Sequence, residues 1–438
     1  MNIELLSILF VVVFIAILLA GVPLAFATGV VAVVFAYALF GLPGLTLVVS
    51  RVFTLMGNYV LVSVPLFIFM ACILERAGVA DAIFNAVHVW FGGVPGGLAV
   101  AVIFSCALMA TMVGVIGAEI VTMGVIALPA MLSRGYDKRI ALGSICAGGG
   151  LATLIPPSVV FILYGLTAGV SIGQLYMAGV MPGLLLAGSY CAYIIVRCWI
   201  SPELAPPAPT EERNRPLREK LAMLGDLIIP GLVALMVLGS LYLGIATPTE
   251  AAGVGVVGAL LAMLVNGRMS WSSLRHAIDE TTKVTVMLYW LFFGSSALIG
   301  VYTLAGGTKL IQDTMTSLPL EPIYIIIMFQ IIWIILGCFI DWIGILFLTA
   351  PIFVPIAQKL GFDLVWLGTL FCLNMQISYI SPPFGPAAFY LKGVTPPGIT
   401  LSHIFGSIWP YLIIQIAVLA MVMAFPQIAL WLPSTMAN

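Results

Sequence analysis

Apolar stretches of around twenty residues, the length that crosses a hydrocarbon core, recur along the chain from Glu4 to Pro433 with short polar breaks between them. Read as membrane helices, they give spans near 3–22, 24–42, 58–75 and 175–198, then near 222–245, 250–266, 284–303 and 403–432. Two stretches depart from this pattern. Residues 97–131 and 322–357 are each about 35 residues long, too long for one span and tight for two. Each has glycines near its middle, in MVGVIGAEIVTMG (112–124) and LGCFIDWIG (336–344), so a re-entrant hairpin turning at those glycines is predicted for both. Two more stretches, 139–170 and 363–392, contain adjacent prolines, Pro156-Pro157 and Pro382-Pro383. Proline lacks the backbone donor and clashes with the preceding turn, so these crossings are predicted to break. Freed backbone at membrane depth survives only where protein or a water-filled cavity satisfies it.

The departures are paired because the chain repeats itself. At an offset of 226 residues, Pro129 meets Pro355, Gly135 meets Gly361 and Asp137 meets Asp363; Pro156-Pro157 meets Pro382-Pro383, and Tyr164 meets Tyr390. Apolar composition aligns leucines by chance, but not spaced Pro, Gly and Asp. Three units follow: a first repeat over 1–200, a charged linker over 201–221 built on SPELAPPAPTEERNRPLREK, and a second repeat over 222–438. With the N-terminus outside, only Arg51, Lys309 and Lys359 of the 16 basic residues fall outside, leaving 16 − 3 = 13 on the cytoplasmic side. Cytoplasmic loops carry the basic excess, so each repeat makes an odd number of crossings and the two are inverted. The predicted fold class is an all-α polytopic membrane protein: two inverted repeats, about ten spans, two re-entrant hairpins and two Pro-broken crossing helices.

Composition agrees with the pattern. Of 438 residues 62% are hydrophobic and 8% charged, where a soluble domain carries about a quarter charged. The N-terminus MNIELLSILFVVVFIAILLAG lacks a basic n-region and runs straight into GVPLAFA, which reads as a first span rather than a cleaved signal. The 7 cysteines lie in apolar runs and the 3 histidines are scattered, so neither disulfides nor a metal cluster are expected. No phosphate-loop or dinucleotide spacing occurs, and no Ser/His/Asp constellation. An enzyme is therefore not expected, and no cofactor; a net charge of −1 gives no reason to expect nucleic acid.

Inverted repeats with discontinuous helices describe secondary transporters, whose sites lie near the midplane at the repeat interface. A small hard cation such as Na⁺ suits freed carbonyls, and an anion suits half-helix N-termini. Polar residues collect around the breaks: Glu119, Thr122, Gly148 to Gly150, Thr153 and Ser158 in the first repeat, and Asp341, Asn374, Gln376, Ser378 and Ser381 in the second. Carboxylates in apolar segments are costly and functional by default, which puts Asp341 first among them. Glu250 in ATPTEAA reads instead as a first-turn acid behind a Thr247 or Thr249 cap, and the triple glycine as a close-packing device.

The same residues carry a resemblance. GYDKRIALGSICAGGGLATLIPPSVVFILYG (135–165), GIATPTEAAGVG (244–255) and LGCFIDWIGILFLTAPIFVPIAQKLGFD (336–363) resemble the large membrane (M, DctM-like) subunit of TRAP (tripartite ATP-independent periplasmic) transporters across essentially the whole chain. The resemblance implies a protein of the bacterial inner membrane that imports small organic acids with Na⁺ as coupling ion by an elevator mechanism. It also implies two partners, a small four-helix membrane subunit and a periplasmic substrate-binding protein. Carried across, one sodium site would use Gly114, Gly117, Glu119, Thr122, Gly150, Thr153, Pro156 and Ser158. The other would use Gly337, Asp341, Asn374, Gln376, Ser378, Ser381 and Pro382. Substrate would lie at Pro157, Ser158, Pro383 and Gly385. Many members have serines and glycines at the first hairpin tip, where this chain has Glu119 nearby. A stand-alone sodium–dicarboxylate symporter has similar repeats and is the alternative.

Overall fold

The computed structural model describes residues 3–112, 117–206 and 216–436. Every regular element among them is a helix. The first half runs α1 (Ile3–Leu19), α2 (Leu24–Met56), α3 (Ser63–Arg76), α4 (Val79–Phe91), α5 (Gly97–Ala110), α6 (Ala118–Ser133), α7 (Lys138–Gly150), α8 (Val159–Ala168) and α9 (Ile172–Ile200). A short α10 (Leu217–Met223) leads to α11 (Ile228–Tyr242), α12 (Pro248–Val265), α13 (Trp271–Leu304), α14 (Gly307–Thr316), α15 (Pro322–Gly337) and α16 (Trp342–Lys359). The chain ends with α17 (Leu364–Ile380), α18 (Pro386–Lys392), α19 (Leu401–Ala424) and α20 (Gln427–Ser434). Among the described residues, 7 helical segments are long and apolar enough to cross a membrane.

Helices α5 and α6 pack on each other as one hairpin, and α15 and α16 as the other. Both Pro-Pro segments interrupt a crossing, between α7 and α8 and between α17 and α18, and both Pro-Pro bonds are cis. The spaced Gly and Asp that exposed the repeat turn out to be helix punctuation. Gly135 and Gly361 end α6 and α16 with φ of +77° and +83°; the N–H groups of Tyr136 and Phe362 then reach back to Met131 O and Ala357 O, closing the helix ends. Asp137 caps α7, accepting from Arg139 N at 2.7 Å, and Asp363 caps α17, accepting from Val365 N at 2.8 Å. Glu250 completes a capping box with Thr247, the bland role its position implied.

Five elements differ from the pattern, each for a local reason. The first helical run of α2 stops at Gly41 (φ 65°, ψ −148°), close to the expected end near 42, and a second run that was not expected continues past Pro43 to Met56. Helix α13 starts at Trp271, well before the apolar run at 284, because Ser270 caps a polar prologue. Helices α4 and α14 lie between a span and a hairpin, where no element was expected; both are short and amphipathic, and each follows a glycine in the left-handed region, Gly78 and Gly306. The last span stops at Ala424, and α20 follows Pro426 as a separate helix, so 403–432 is not one element.

Packing divides the helices into two groups. Helices α2, α3, α12 and α13 pack against one another. They are tied by Tyr289 Oη to Leu61 O at 2.7 Å, Asn266 Nδ2 to Ala77 O at 3.0 Å and, at α1, Tyr302 Oη to Ser7 Oγ at 2.9 Å. The second group interleaves the two halves: α7 packs on α5, α6 and α19, and α17 on α15, α16, α9 and α19. Tyr164 Oη donates to Leu364 O at 2.9 Å, joining the second half of one broken crossing to the start of the other. The groups meet chiefly where α13 runs along α16.

Candidate functional site

The first break is sealed. After α7 the chain makes a 3₁₀ turn at Leu151–Thr153, then runs through the prolines to Ser158, which is extended; every residue from Leu151 to Ser158 is buried. Thr153 Oγ1 donates to Gly150 O at 2.9 Å and Ser158 Oγ donates to Thr153 O at 2.7 Å. Helix α9 closes the outside with two small residues one turn apart. A Cβ at Gly179 would strike Leu154 O, and one at Gly183 would come within 2.6 Å of Ile155 Cγ1, so these glycines admit the broken backbone at contact distance. Gly148 and Gly149 do the same for the first hairpin, taking Cys106 of α5 and Ile120 of α6.

The second break is open. Ser381 is buried, with its hydroxyl donating to Ser378 O at 3.3 Å, but Pro383 and Phe384 are exposed. The second hairpin leans on this break: Gly337 has room only for Ser378 beside it, and the Cys338 thiol donates to Pro382 O at 3.7 Å. Asp341 stands at the hairpin's turn as the N-cap of α16, one oxygen accepting from Ile343 N at 3.3 Å and the side chain otherwise facing open space.

Two cavities meet at Asp341. The smaller, about 170 Å³, is walled by Thr153, Gly337, Asp341, Trp342, Ser378 and Tyr379, with Phe384 and Pro386 at its side. The larger, about 460 Å³, lies between the two helix groups. Its one wall is Asp341, Trp342, Tyr379, Pro386 and Tyr390; the opposite wall is apolar, from Leu24 and Ala25 at the start of α2, Ile68 of α3, and Met287, Leu288 and Leu291 of α13. Asp341, Trp342, Tyr379 and Pro386 belong to both. A concave, mostly apolar space with a few convergent polar groups is the usual form of a small-molecule site.

The residues expected at two separate ion sites are therefore regrouped. Thr153, from the first set, shares a cavity with Gly337, Asp341 and Ser378 from the second. Glu119 and Thr122 do not join them. Glu119 is fully buried, and neither of its oxygens has a hydrogen-bond partner among the described residues. Thr122 borders a small cleft with Glu75 and Ala118 on the far side of α6. Gly117 lies against Tyr390, and Gly150 near Tyr379. Gly114 lies outside the described residues. Asn374 donates to Gln330 O and Oε1, both at 3.0 Å, tying α17 to α15; the Gln376 amide is buried, without a partner among the described residues. Pro156, Pro157 and Ser158 are sealed beneath α9, whereas Pro382, Pro383 and Gly385 belong to the open break. Sequence reasoning passed over Trp342, Tyr379 and Tyr390. In a chain 11% aromatic such rings read as core, and their position beside a break was the available signal.

Two interleaved, Pro-broken segments and a hairpin that carries Asp341 to a cleft are the architecture of a polytopic permease of the broken-helix kind. The chain belongs to the family described as "Tripartite ATP-independent periplasmic transporter, DctM component", whose model matches residues 11–428. It is 32% identical to the C4-dicarboxylate TRAP transporter large permease protein DctM of Pseudomonas aeruginosa, over 88% of each chain. It is 30% identical to the ectoine TRAP transporter large permease protein TeaC of Halomonas elongata, over 95% of this chain and 96% of that one. Among solved structures, the YdaH transporter of Alcanivorax borkumensis shares the fold, with a TM-score of 0.63 over 90% of each chain at 16% identity. The protein is thus a TRAP large permease subunit, a multi-pass protein of the inner membrane, and its relatives are permeases rather than enzymes.

Proposed function

We propose that this chain imports a small organic acid coupled to Na⁺, as the large subunit of a three-part system. The observation that carries the reading is the cleft: the carboxylate residue Asp341 and the hydroxyl residues Thr153 and Ser378 line one small cavity inside an apolar protein. Oxygen donors of that kind suit a hard cation, and a carboxylate kept at membrane depth is costly unless it has such a use. In this reading the second sodium site lies at Gly337, Asp341 and Ser378, with Thr153 completing it. The first lies at the other hairpin and break, with Glu119 close by.

The solute occupies the larger cleft beside them. The apolar wall of α2, α3 and α13 is a surface along which the polar wall can slide without breaking hydrogen bonds, as an elevator movement of the hairpins and broken helices requires. A periplasmic binding protein delivers the solute and a small four-helix membrane subunit braces α2, α3, α12 and α13. Relatives carry C4-dicarboxylates, ectoine and sialic acid by name, and a small carboxylated solute is the class proposed here.

The test is uptake into proteoliposomes holding this chain with its candidate small subunit, under an inward sodium gradient, with and without candidate receptors. The expected result is accumulation that needs both sodium and a receptor. Accumulation by this chain alone would replace the three-part reading with a stand-alone symporter, and sodium-independent flux that does not saturate would sink both.

A further inference from the structure

The repeat places a tyrosine at the same position in each half, and the two serve different ends. Tyr164 is buried, donates its hydroxyl to Leu364 O at 2.9 Å and stacks on Phe371 with ring centroids 6.2 Å apart. It is a packing residue. Tyr390 is 45% exposed, lines the larger cleft with Asp341, and its hydroxyl has no hydrogen-bond partner among the described residues.

What seats the Tyr390 ring is the first hairpin, from the other half of the chain. A Cβ at Gly117 would lie 3.0 Å from Tyr390 Cε2, 3.2 Å from Cδ2 and 3.3 Å from Cζ. The backbone there has φ +104°, open to glycine and few other residues. Farther along the same interface, a Cβ at Gly124 would come within 3.0 Å of Leu391 Cδ1 and 2.6 Å of Val394 Cγ2. Helix α18 therefore rides on α6 through two glycines, and the ring it carries into the cleft has its position set by the hairpin's start.

We propose that Tyr390 is a solute-contacting, specificity-determining residue, and that the first hairpin controls the cleft by holding its ring. The chemistry fits the wall it belongs to. The facing wall of Leu24, Ile68 and Leu288 offers no hydrogen bond, so a solute finds its polar partners only on the side of Asp341 and the tyrosines. A phenol there gives a neutral donor to a carboxylate oxygen and an apolar face to the solute's carbon skeleton. Movement of the hairpin that carries Gly117 shifts the ring, so the two halves of the repeat act on one solute.

This role rests on the proposed transport, and the experiment separates the two. In the reconstituted system, Tyr390→Phe raises the half-saturation concentration about threefold to tenfold, the effect of one lost hydrogen bond. Gly117→Ala drives the ring outward and raises half-saturation more than it lowers the maximal rate. In a Tyr390→Ala background most of that rise disappears, because the ring it would displace is gone and only the cost of an alanine at φ +104° remains. Additive effects, or loss of rate with unchanged half-saturation, mark a structural role and overturn the proposal.

A second readout needs no transport. In purified protein carrying 3-fluorotyrosine at position 390, Gly117→Ala shifts the fluorine resonance, and so does one of succinate, ectoine, sialic acid or isethionate added with sodium. Absence of either shift overturns the proposal. Both shifts in a protein that moves no solute across a membrane overturn the transport reading and leave Tyr390 as a binding residue.

Discussion

The segments 154–158 and 381–385 carry the same proline pair at the same place in their repeats, yet one is a sealed joint and the other a wall of the cleft. The prolines cannot be the cause, since both halves have them. The helix packed outside decides. Helix α9 presents Gly179 and Gly183 to the first break. Helix α19, which packs on α18 beyond the second break, carries Phe405 and Trp409 there. Trp409 stays exposed and Phe405 meets Phe389 edge-on with centroids 6.3 Å apart. Among the described residues the second break has no such glycine seal, and Pro383 and Phe384 stay exposed. The same lesson holds for Tyr164 and Tyr390: a repeated residue inherits a backbone position, and its neighbours assign the task.

The largest expected effect lies at the open break. Asp341→Asn brings sodium-coupled uptake to background while the protein still inserts and purifies as a folded species; normal uptake at low sodium would remove Asp341 from the ion site. Asp363 is also an N-cap but lines neither cavity, so Asp363→Ala leaves sodium dependence in place.

Next comes the seal. Gly183→Leu pushes a side chain into Ile155 and forces α9 off the first break, with a loss of about 1–3 kcal/mol for overpacking, read as a lower midpoint of thermal unfolding in detergent. Trp409→Leu on α19 is tolerated, since that ring is exposed and closes no break. Equal midpoints for the two variants would show that the glycines do not make the difference.

Accessibility sharpens the contrast directly. In a background lacking the native cysteines, Phe384→Cys reacts with a water-soluble thiol reagent and Ile155→Cys does not, as the exposure of the one and burial of the other require. Comparable reaction at both would erase the distinction between sealed and open breaks. The smallest effect is at the punctuation the halves share: Asp137→Ala and Asp363→Ala each cost about 1 kcal/mol as lost N-caps, measured by the same unfolding midpoint. A cost in one repeat alone would show that even the caps have diverged.

Much of the architecture was legible along the chain because it follows from local chemistry. Apolar runs of membrane length, glycines midway through two overlong runs, and prolines that deny a helix its hydrogen bonds act on backbone wherever they occur. Both Pro-Pro segments do lie between helices, α7 and α8 in one half and α17 and α18 in the other. Capping acids and left-handed glycines mark the repeat in the same local way, which is why it could be found from Pro129, Gly135, Asp137 and their partners. Helices α4 and α14 escaped notice because ten or so residues of amphipathic pattern are too few to stand out beside longer apolar spans.

The site was legible only as two neighbourhoods, and their regrouping was not. Thr153 joins Asp341, Gly337 and Ser378, while Glu119 stays apart, because the halves interleave and residues more than 180 positions apart become neighbours. Which break is covered depends on whether a distant helix offers glycines at contact distance. Local sequence thus determined where this chain must bend, break and be capped, since those are properties of backbone and side chain within a few residues. Tertiary structure alone decided which broken backbone faces a cavity, because that depends on the size of side chains arriving from elsewhere in the fold.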